Sequence, residues 1–421
     1  MSLRIGIVIC FMLAACTSLQ KNAKNETPRN EPPRQVQRDE AIELTEHLLE
    51  QLENSGIIAN MPEAEKISQE ILERLAKDFD PKPRIRYLRN SSPNSMALAD
   101  GTICINLGLL ALLSNQDQLA FIIAHELGHL KNRHIIKRIS TTVNTGIFST
   151  MLDTFITPLI PGNLYQLLSD SLIDDLPEIF LSAHSRELEW EADQEALPLL
   201  EQAGFNLTNA IESFLIYQDI ENQLGLTDKS LVFSTHPSIK ARLERSEKYL
   251  KDRSLKTPEA PTKDPLFIQS TAELRLKSAR WSRRAGRYFE ALNKLALLEE
   301  TKLDKTELLL EEAETYRRMV EEFGRAKRSV TKKWWSEKYG TADNKKIRTL
   351  WQKLALNRYN EILQQSPANL KALRGRGLLY SFYSDEQGLH DLLHYLELDP
   401  KAPDNDFIKG LITETYQDVS P

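Results

Sequence analysis

Hydrophobic positions change their spacing along the chain. Residues 5–15 form one short apolar run, residues 21–38 are almost wholly polar, and from residue 41 apolar positions recur with helical or strand periods. Ile42, Leu44, Leu48, Leu49 and Leu52 share one helical face. Ile67, Ile71, Leu72 and Leu75 continue that pattern after Pro62, a residue suited to a first helical turn. Arg84 to Leu88 alternates between Pro83 and a turn at residues 90–93, which predicts a strand, and Gly101 to Asn106 predicts a second. A long helix is expected to open at Ser114 or Asn115, with Asp117 in its first turn, and to run to Arg138. Further helices are expected over 182–202, closed by Gly204, over 207–222 and over 239–251. Residues 140–182 are apolar but broken by Pro158, Pro161 and Pro177. They read as a helical hairpin over the core, with a lid, plug or membrane-facing segment as the other reading.

Residues 252–265 contain Pro258, Pro261 and Pro265 and mark a linker between domains. Beyond them the pattern is helical throughout. Ala279, Gly286, Tyr288, Ala291 and Leu292 stand where a tetratricopeptide helix pair places small and aromatic contacts. Ala372, Gly375, Gly377 and Tyr380 occupy compatible positions, and Pro367 and Pro400 lie 33 positions apart, close to that repeat's period. The expected fold is mainly α, of the α+β class. A helical domain with a small sheet covers residues 39–251, and an all-α domain of tetratricopeptide-like helical hairpins covers 266–421. Arg325 to Trp351 mixes nine Lys or Arg with Trp334, Trp335, Tyr339 and Trp351 and reads as a solvated face with aromatic packing behind it.

The chain has 421 residues, 41% of them hydrophobic, which suffices for globular cores, and its net charge of −6 gives no reason to expect a nucleic-acid partner. The apolar run after Arg4 is too short to cross a bilayer, which takes roughly 20 residues, and it ends in Leu13, Ala14, Ala15 and Cys16. That ending resembles a bacterial lipobox. Residues 1–15 are then a signal peptide, Cys16 carries lipid, and residues 16–38 are a flexible tether. Thr17, in place of an Asp, leans towards the outer membrane. Cys104 would be left alone, so no intrachain disulfide is expected in an oxidising compartment.

The candidate chemistry lies in His125-Glu126-Leu127-Gly128-His129. Four residues is slightly more than one helical turn, so both imidazoles leave one face about 6 Å apart along the axis. They can converge on one Zn2+ at roughly 2.0–2.1 Å. Glu126 lies just round the helix, beside the ion, where it can take a proton from the attacking water. Leu119, Phe121, Ile122, Ile123 and Leu127 make the helix a buried one, and burying two histidines and a glutamate among them is costly without a metal. Catalytic zinc takes a third protein ligand. Asn132 and Ile135 occupy the positions that would extend the motif to a third histidine, so the ligand must come from elsewhere. Residues 185–193 supply several carboxylates. Glu189 and Asp193 share a face one turn apart, so the first can bind zinc and the second can orient a histidine. Glu187 and Glu191 are rivals that spacing alone does not separate. His134, His184, His390 and His394 read as structural, His134 being too far along its helix to join the zinc face.

From Asn94 to Leu250 the chain resembles the HtpX/BepA-type gluzincin metallopeptidases, which work at membranes. Asn94 to Ala97 and Gly101 to Leu110 resemble the strand and turn ahead of the zinc helix. Ser185, Arg186, Glu189, Ala192 and Asp193 match the family's downstream motif, and Ala203 to Phe205 a turn after it. Thr235-His236-Pro237, with Arg242 and Leu243, resembles a further element. The resemblance implies Glu189 as third ligand of one Zn2+ and Asp193 as its supporting partner. His236 is implied as a removable ligand that displaces the water, or alternatively as a structural or substrate-contacting histidine. Arg242 is implied as support for the site or for the oxyanion. The implied activity is endopeptidase action, through Glu126, on misfolded or unassembled envelope proteins in outer-membrane quality control. The setting is the periplasm, with the assembly machinery as a further partner. BepA-like members lack a lipobox, and there this chain departs. The strand from Gly101 to Asn106 is expected to pair with substrate as an edge strand. The alternative function is a chaperone or assembly scaffold that binds outer-membrane proteins through its helical repeats.

Overall fold

The structure is a computed structural model that describes residues 38–137, 186–224 and 239–416. Residues 1–15, expected as a signal peptide, and Cys16, residues 140–182, His184 and His236 lie outside the described residues. The fold is mainly helical around one small sheet, as the sequence predicts.

Helices α1 (Arg38–Asn54) and α2 (Pro62–Leu75) begin with acidic residues in their first turns, where the helix dipole favours them. Four strands follow the order β1-β2-β4-β3, with β1 Ile58–Ala59, β2 Arg84–Leu88, β3 Ser95–Ala97 and β4 Thr102–Asn106. The β2–β4 pairing is parallel and the outer two pairings are antiparallel. Every residue of β4 is buried, because both faces of the sheet are covered. Ile103 and Ile105 enter the main core with Tyr87 and Phe121. Cys104 turns the other way, to Leu48, Leu49, Leu52 and Met96 beneath α1. The expectation that residues 101–106 form an edge strand is therefore corrected: β4 is interior, and β3 is the outer strand on that side.

Helix α3 (Leu107–Leu110) leads to α4 (Gln116–Lys131), capped by Asn115, whose side chain accepts from the Gln118 N–H at 2.9 Å. Helix α4 stops short of the expected end at 138 because Arg133 takes φ +54, and the chain turns helical again only at 134. Helix α5 (Arg186–Gln202) ends before Gly204, at φ +72. The single helix expected over 207–222 is two, α6 (Leu207–Ile211) and α7 (Ser213–Leu224). Between them the buried Glu212 carboxylate accepts from Asn115, Gln118 and Thr262. Helix α8 (Ile239–Lys251) closes this part.

The proline-rich stretch after α8 is tied down rather than loose. Thr262 bonds Glu212, and the Asp264 N–H donates to the Ser114 carbonyl at 2.8 Å. Helices α9 (Pro265–Ser270) and α10 (Ala272–Arg284) then contribute Phe267 and Leu274 to the main core. Arg275, fully buried, donates to the carbonyls of Ala111 at 2.8 Å and Leu113 at 2.7 Å. Eight helices complete the described residues: α11 Tyr288–Ala296, α12 Lys305–Glu321, α13 Phe323–Arg328, α14 Lys332–Tyr339, α15 Asn344–Gln365, α16 Leu370–Ser381, α17 Glu386–Leu398 and α18 Asn405–Thr415. The pairs α10–α11, α12–α15 and α16–α17 pack together. Trp335 and Trp351 are buried in a second core, with Lys332, Lys333, Lys345 and Lys346 outside it. No helix among the described residues is long and apolar enough to cross a membrane.

Two glycines test this packing. A Cβ on Gly108 would run into the backbone carbonyl of Ser91, whereas one on Gly410, inside α18, would meet open space. Gly108→Ala is expected to cost about 1–3 kcal/mol or more by overpacking, and Gly410→Ala to gain up to ~1 kcal/mol from helix propensity. Denaturant unfolding of the two variants beside the parent checks both signs.

Candidate metal centre

Helices α4 and α5 cross at Gly128 and Ala192. A Cβ on Gly128 would sit 2.5 Å from the Ala192 carbonyl oxygen, so glycine is what permits the approach. The crossing sets His125 and His129, one turn apart on α4, against Glu189 on α5. The two Nε2 atoms are 3.0 Å apart, and the Glu189 oxygens lie 3.4 Å from Nε2 of His125 and 3.3 Å from Nε2 of His129. Ligands at roughly 2.0–2.1 Å from a tetrahedral ion stand about 3.3–3.4 Å from one another. The three donors therefore already have the spacing of one such site, and they are the one group of three metal-donor side chains this close among the described residues.

The surrounding hydrogen bonds fix which nitrogens face inward. Nδ1 of His125 donates to Asp193 Oδ1 at 2.9 Å, which leaves its Nε2 for the site. His134 donates from Nε2 to Glu191 at 3.0 Å, so its Nδ1 accepts from His129 Nδ1 at 2.8 Å and frees the Nε2 of His129 in turn. Two inward-facing imidazole nitrogens beside a buried carboxylate favour positive charge between them, whether a proton on Nε2 of His125 or a metal ion. The electrostatics agree. Burial and the Arg242 charge push the His125 imidazolium down, but Asp193 and Glu189 outweigh them and raise it to about 9. Burial pushes His129 down to about 4. Three buried carboxyl groups, Glu126, Glu189 and Asp193, face one buried guanidinium, Arg242. A divalent cation in place of the His125 proton would answer the same pull, and two imidazoles with one carboxylate form a donor set suited to zinc.

Arg242 reaches in from α8 and lies 5.0 Å from the Phe214 ring centroid. Its Nε and Nη2 bond Asp193 at 2.8 and 2.7 Å, and its Nη1 pairs with Glu189 at 2.8 Å. All three nitrogens thus engage the carboxylates that hold the donors, which is the geometry of support. Glu126 is buried beside the histidines, and its Oε1 accepts from Ser95 Oγ of β3 at 2.7 Å. Of the rival carboxylates, Glu187 is exposed, and Glu191, also exposed, serves His134.

His134 stays off the zinc face, as expected, but it is not remote from the site. The helix breaks at Arg133, and the return of the chain brings His134 against the back of His129. No glycine or proline announces that break, so the sequence carries no signal for it. Ser95 is legible only as part of a resembling strand, and its bond to Glu126 depends on sheet order. His390 and His394 stand exposed on α17, apart from this network.

Residues 62–250 match the family model for Peptidase family M48. The mitochondrial metalloendopeptidase OMA1 of Schizosaccharomyces pombe is 33% identical over 184 residues, covering 42% of this chain and 49% of that protein. The "Protease HtpX homolog" of Thermoanaerobacter pseudethanolicus is 25% identical over 233 residues, 46% of this chain and 75% of its own. That of Salinibacter ruber is 28% identical over 226 residues, 46% and 80% respectively. The chain spans about half the length of the first of these relatives and three quarters or more of the other two. The family match covers less than half of the chain.

If the helix crossing sets the donor spacing, Gly128→Ala should separate α4 from α5. The expected loss of zinc affinity is about 10–100-fold, as for disturbed metal-site supports, with helix content unchanged. Competition against a zinc chelator, with circular dichroism alongside, measures both.

Proposed function

We propose that this protein is a zinc-dependent endopeptidase. The observation that carries the reading is the spacing of His125, His129 and Glu189 at tetrahedral-edge distances, with the Glu126 carboxyl buried beside them. His125, His129 and Glu189 would hold one Zn2+, which when bound supplies the Lewis acidity that polarises a peptide carbonyl and acidifies a water.

The protein's own groups supply the rest. Glu126 takes the water's proton on a carboxylate oxygen and passes it to the leaving amine nitrogen. Ser95 holds the other face of that work by donating to Oε1 of Glu126. Asp193 and His134 fix the tautomers of the two imidazoles from behind, and Arg242 supports both Glu189 and Asp193. Strand β3 carries Ser95 at the sheet's outer edge, in place of the strand expected there from sequence. A substrate segment adding to β3 through main-chain bonds would cross the site while its side chains went largely unread. That mode suits unfolded polypeptides.

The finer reading rests on sequence. Misfolded or unassembled envelope proteins are the proposed substrates, in outer-membrane protein quality control. The Leu13 to Cys16 lipobox supports a lipid anchor at Cys16 and a periplasmic setting. The helices after residue 265, proposed as tetratricopeptide-like hairpins, would hold the polypeptide during cleavage or assembly. His236, which follows Thr235 and precedes Pro237, remains the proposed switch ligand or substrate contact.

Glu126→Gln keeps the shape and removes the proton acceptor. Cleavage of an unfolded, reduced and alkylated protein should fall at least ~100-fold, while zinc content and substrate binding stay at parent levels. Undiminished cleavage by the purified variant would refute the mechanism.

A further inference from the structure

The loop that delivers β3 to Glu126 is gripped by helices outside the matched peptidase stretch. Residues 89–94 join β2 to β3. Ser91 in that loop sits against Gly108, and Ser92 accepts from the Asn106 side chain at 3.0 Å. From the other side comes α11. The Lys294 Nζ, fully buried, donates to the Ser91 carbonyl at 3.2 Å, to Ser282 Oγ at 2.9 Å and to Glu290 Oε1 at 2.6 Å. The Arg287 guanidinium donates to Ser91 Oγ, and its Nε pairs with Glu290 at 3.2 Å. Ser282, on α10, also donates to Glu290 at 2.7 Å.

A buried lysine is costly unless its charge is paired and its protons placed. Here Glu290 supplies the pairing, and one of the three donor positions goes to a backbone carbonyl four residues before Ser95. Burying an ammonium to hold a single loop carbonyl favours one loop position over its neighbours, since any shift strands a proton or a lone pair.

We infer that Lys294, with Arg287 and Glu290, positions the substrate strand, so that the helical region completes the peptidase cleft. Lys294 is a positioning residue, acting through Ser91 on β3 and the Ser95 bond to Glu126. This rests on the peptidase reading only for its catalytic consequence. The placement of β3 is measurable without cleavage.

The test compares full-length, zinc-loaded Lys294→Met, Arg287→Gln and Arg275→Met with the parent. Arg275→Met loosens the same contact between regions at Ala111 and Leu113 but leaves the loop alone. Amide hydrogen exchange over residues 94–97 should speed at least tenfold in Lys294→Met, less in Arg287→Gln, and not in Arg275→Met. Zinc content should stay at one per chain throughout. Cleavage of the unfolded substrate should show a rise in KM larger than the fall in kcat, with partial recovery in Lys294→Arg. If Lys294→Met fails to fold, Arg287→Gln carries the comparison. Exchange at 94–97 equal to the parent's, or raised equally by Arg275→Met, overturns the inference. A parent that cleaves nothing while exchange responds as stated sinks the peptidase reading and upholds the positioning one.

Discussion

One close helix crossing governs the rest of this structure. Because residue 128 has no side chain, α4 can lie on the backbone of α5 at Ala192, and only then do two imidazoles and a carboxylate share a space small enough for a single ion. The crossing is buried, so every polar group it carries needs a partner within the protein. That requirement accounts for Asp193, His134, Glu191 and Arg242, each of which satisfies or steadies a donor. Asp193 and Glu189 draw positive charge to His125, and a metal ion at the donor spacing would answer that pull.

The groups that would do chemistry arrive on separate elements and meet at that crossing. The histidines and Glu126 come on α4, Glu189 and Asp193 on α5, Arg242 on α8 and Ser95 on β3. Such a junction is held by the packing of all its contributors. The strap through Thr262 ties α7 and α4 to the start of the helical region, and Arg275 and Lys294 tie that region back to the loops flanking β3 and α4. The helices after residue 265 are therefore continuous in packing with the sheet domain at their first hairpin, and they touch it again where Thr331, the cap of α14, donates to the carbonyls of Asn222 at 2.8 Å and Gln223 at 2.7 Å.

How much of this the sequence reveals follows from the range of each interaction. Period and capping read correctly where elements are long: α1, α2 and β2 fall where apolar spacing puts them, and α4 opens at its Asn115 cap. The His-Glu-x-x-His pattern is legible because its geometry is contained in one helical turn. Glu189 and Asp193 are half legible, since a shared face narrows the choice and only burial separates Glu189 from Glu187 and Glu191. Nonlocal facts escape. Strands of two and three residues offer too few positions for alternation, which hides β1 and β3. Strand order is invisible along the chain, so the interior strand β4 reads from sequence as an edge. The break at Arg133 lacks a glycine or proline, which conceals His134. The strap through Thr262 looks like a linker by composition because its anchor, Glu212, is 50 residues away.

Anomalous diffraction at the zinc absorption edge, from crystals of the full chain loaded with zinc, addresses the central claim most directly. The predicted result is one strong peak within about 2.0–2.2 Å of Nε2 of His125, Nε2 of His129 and a carboxylate oxygen of Glu189. A zinc peak bound elsewhere with none between these three groups would contradict it.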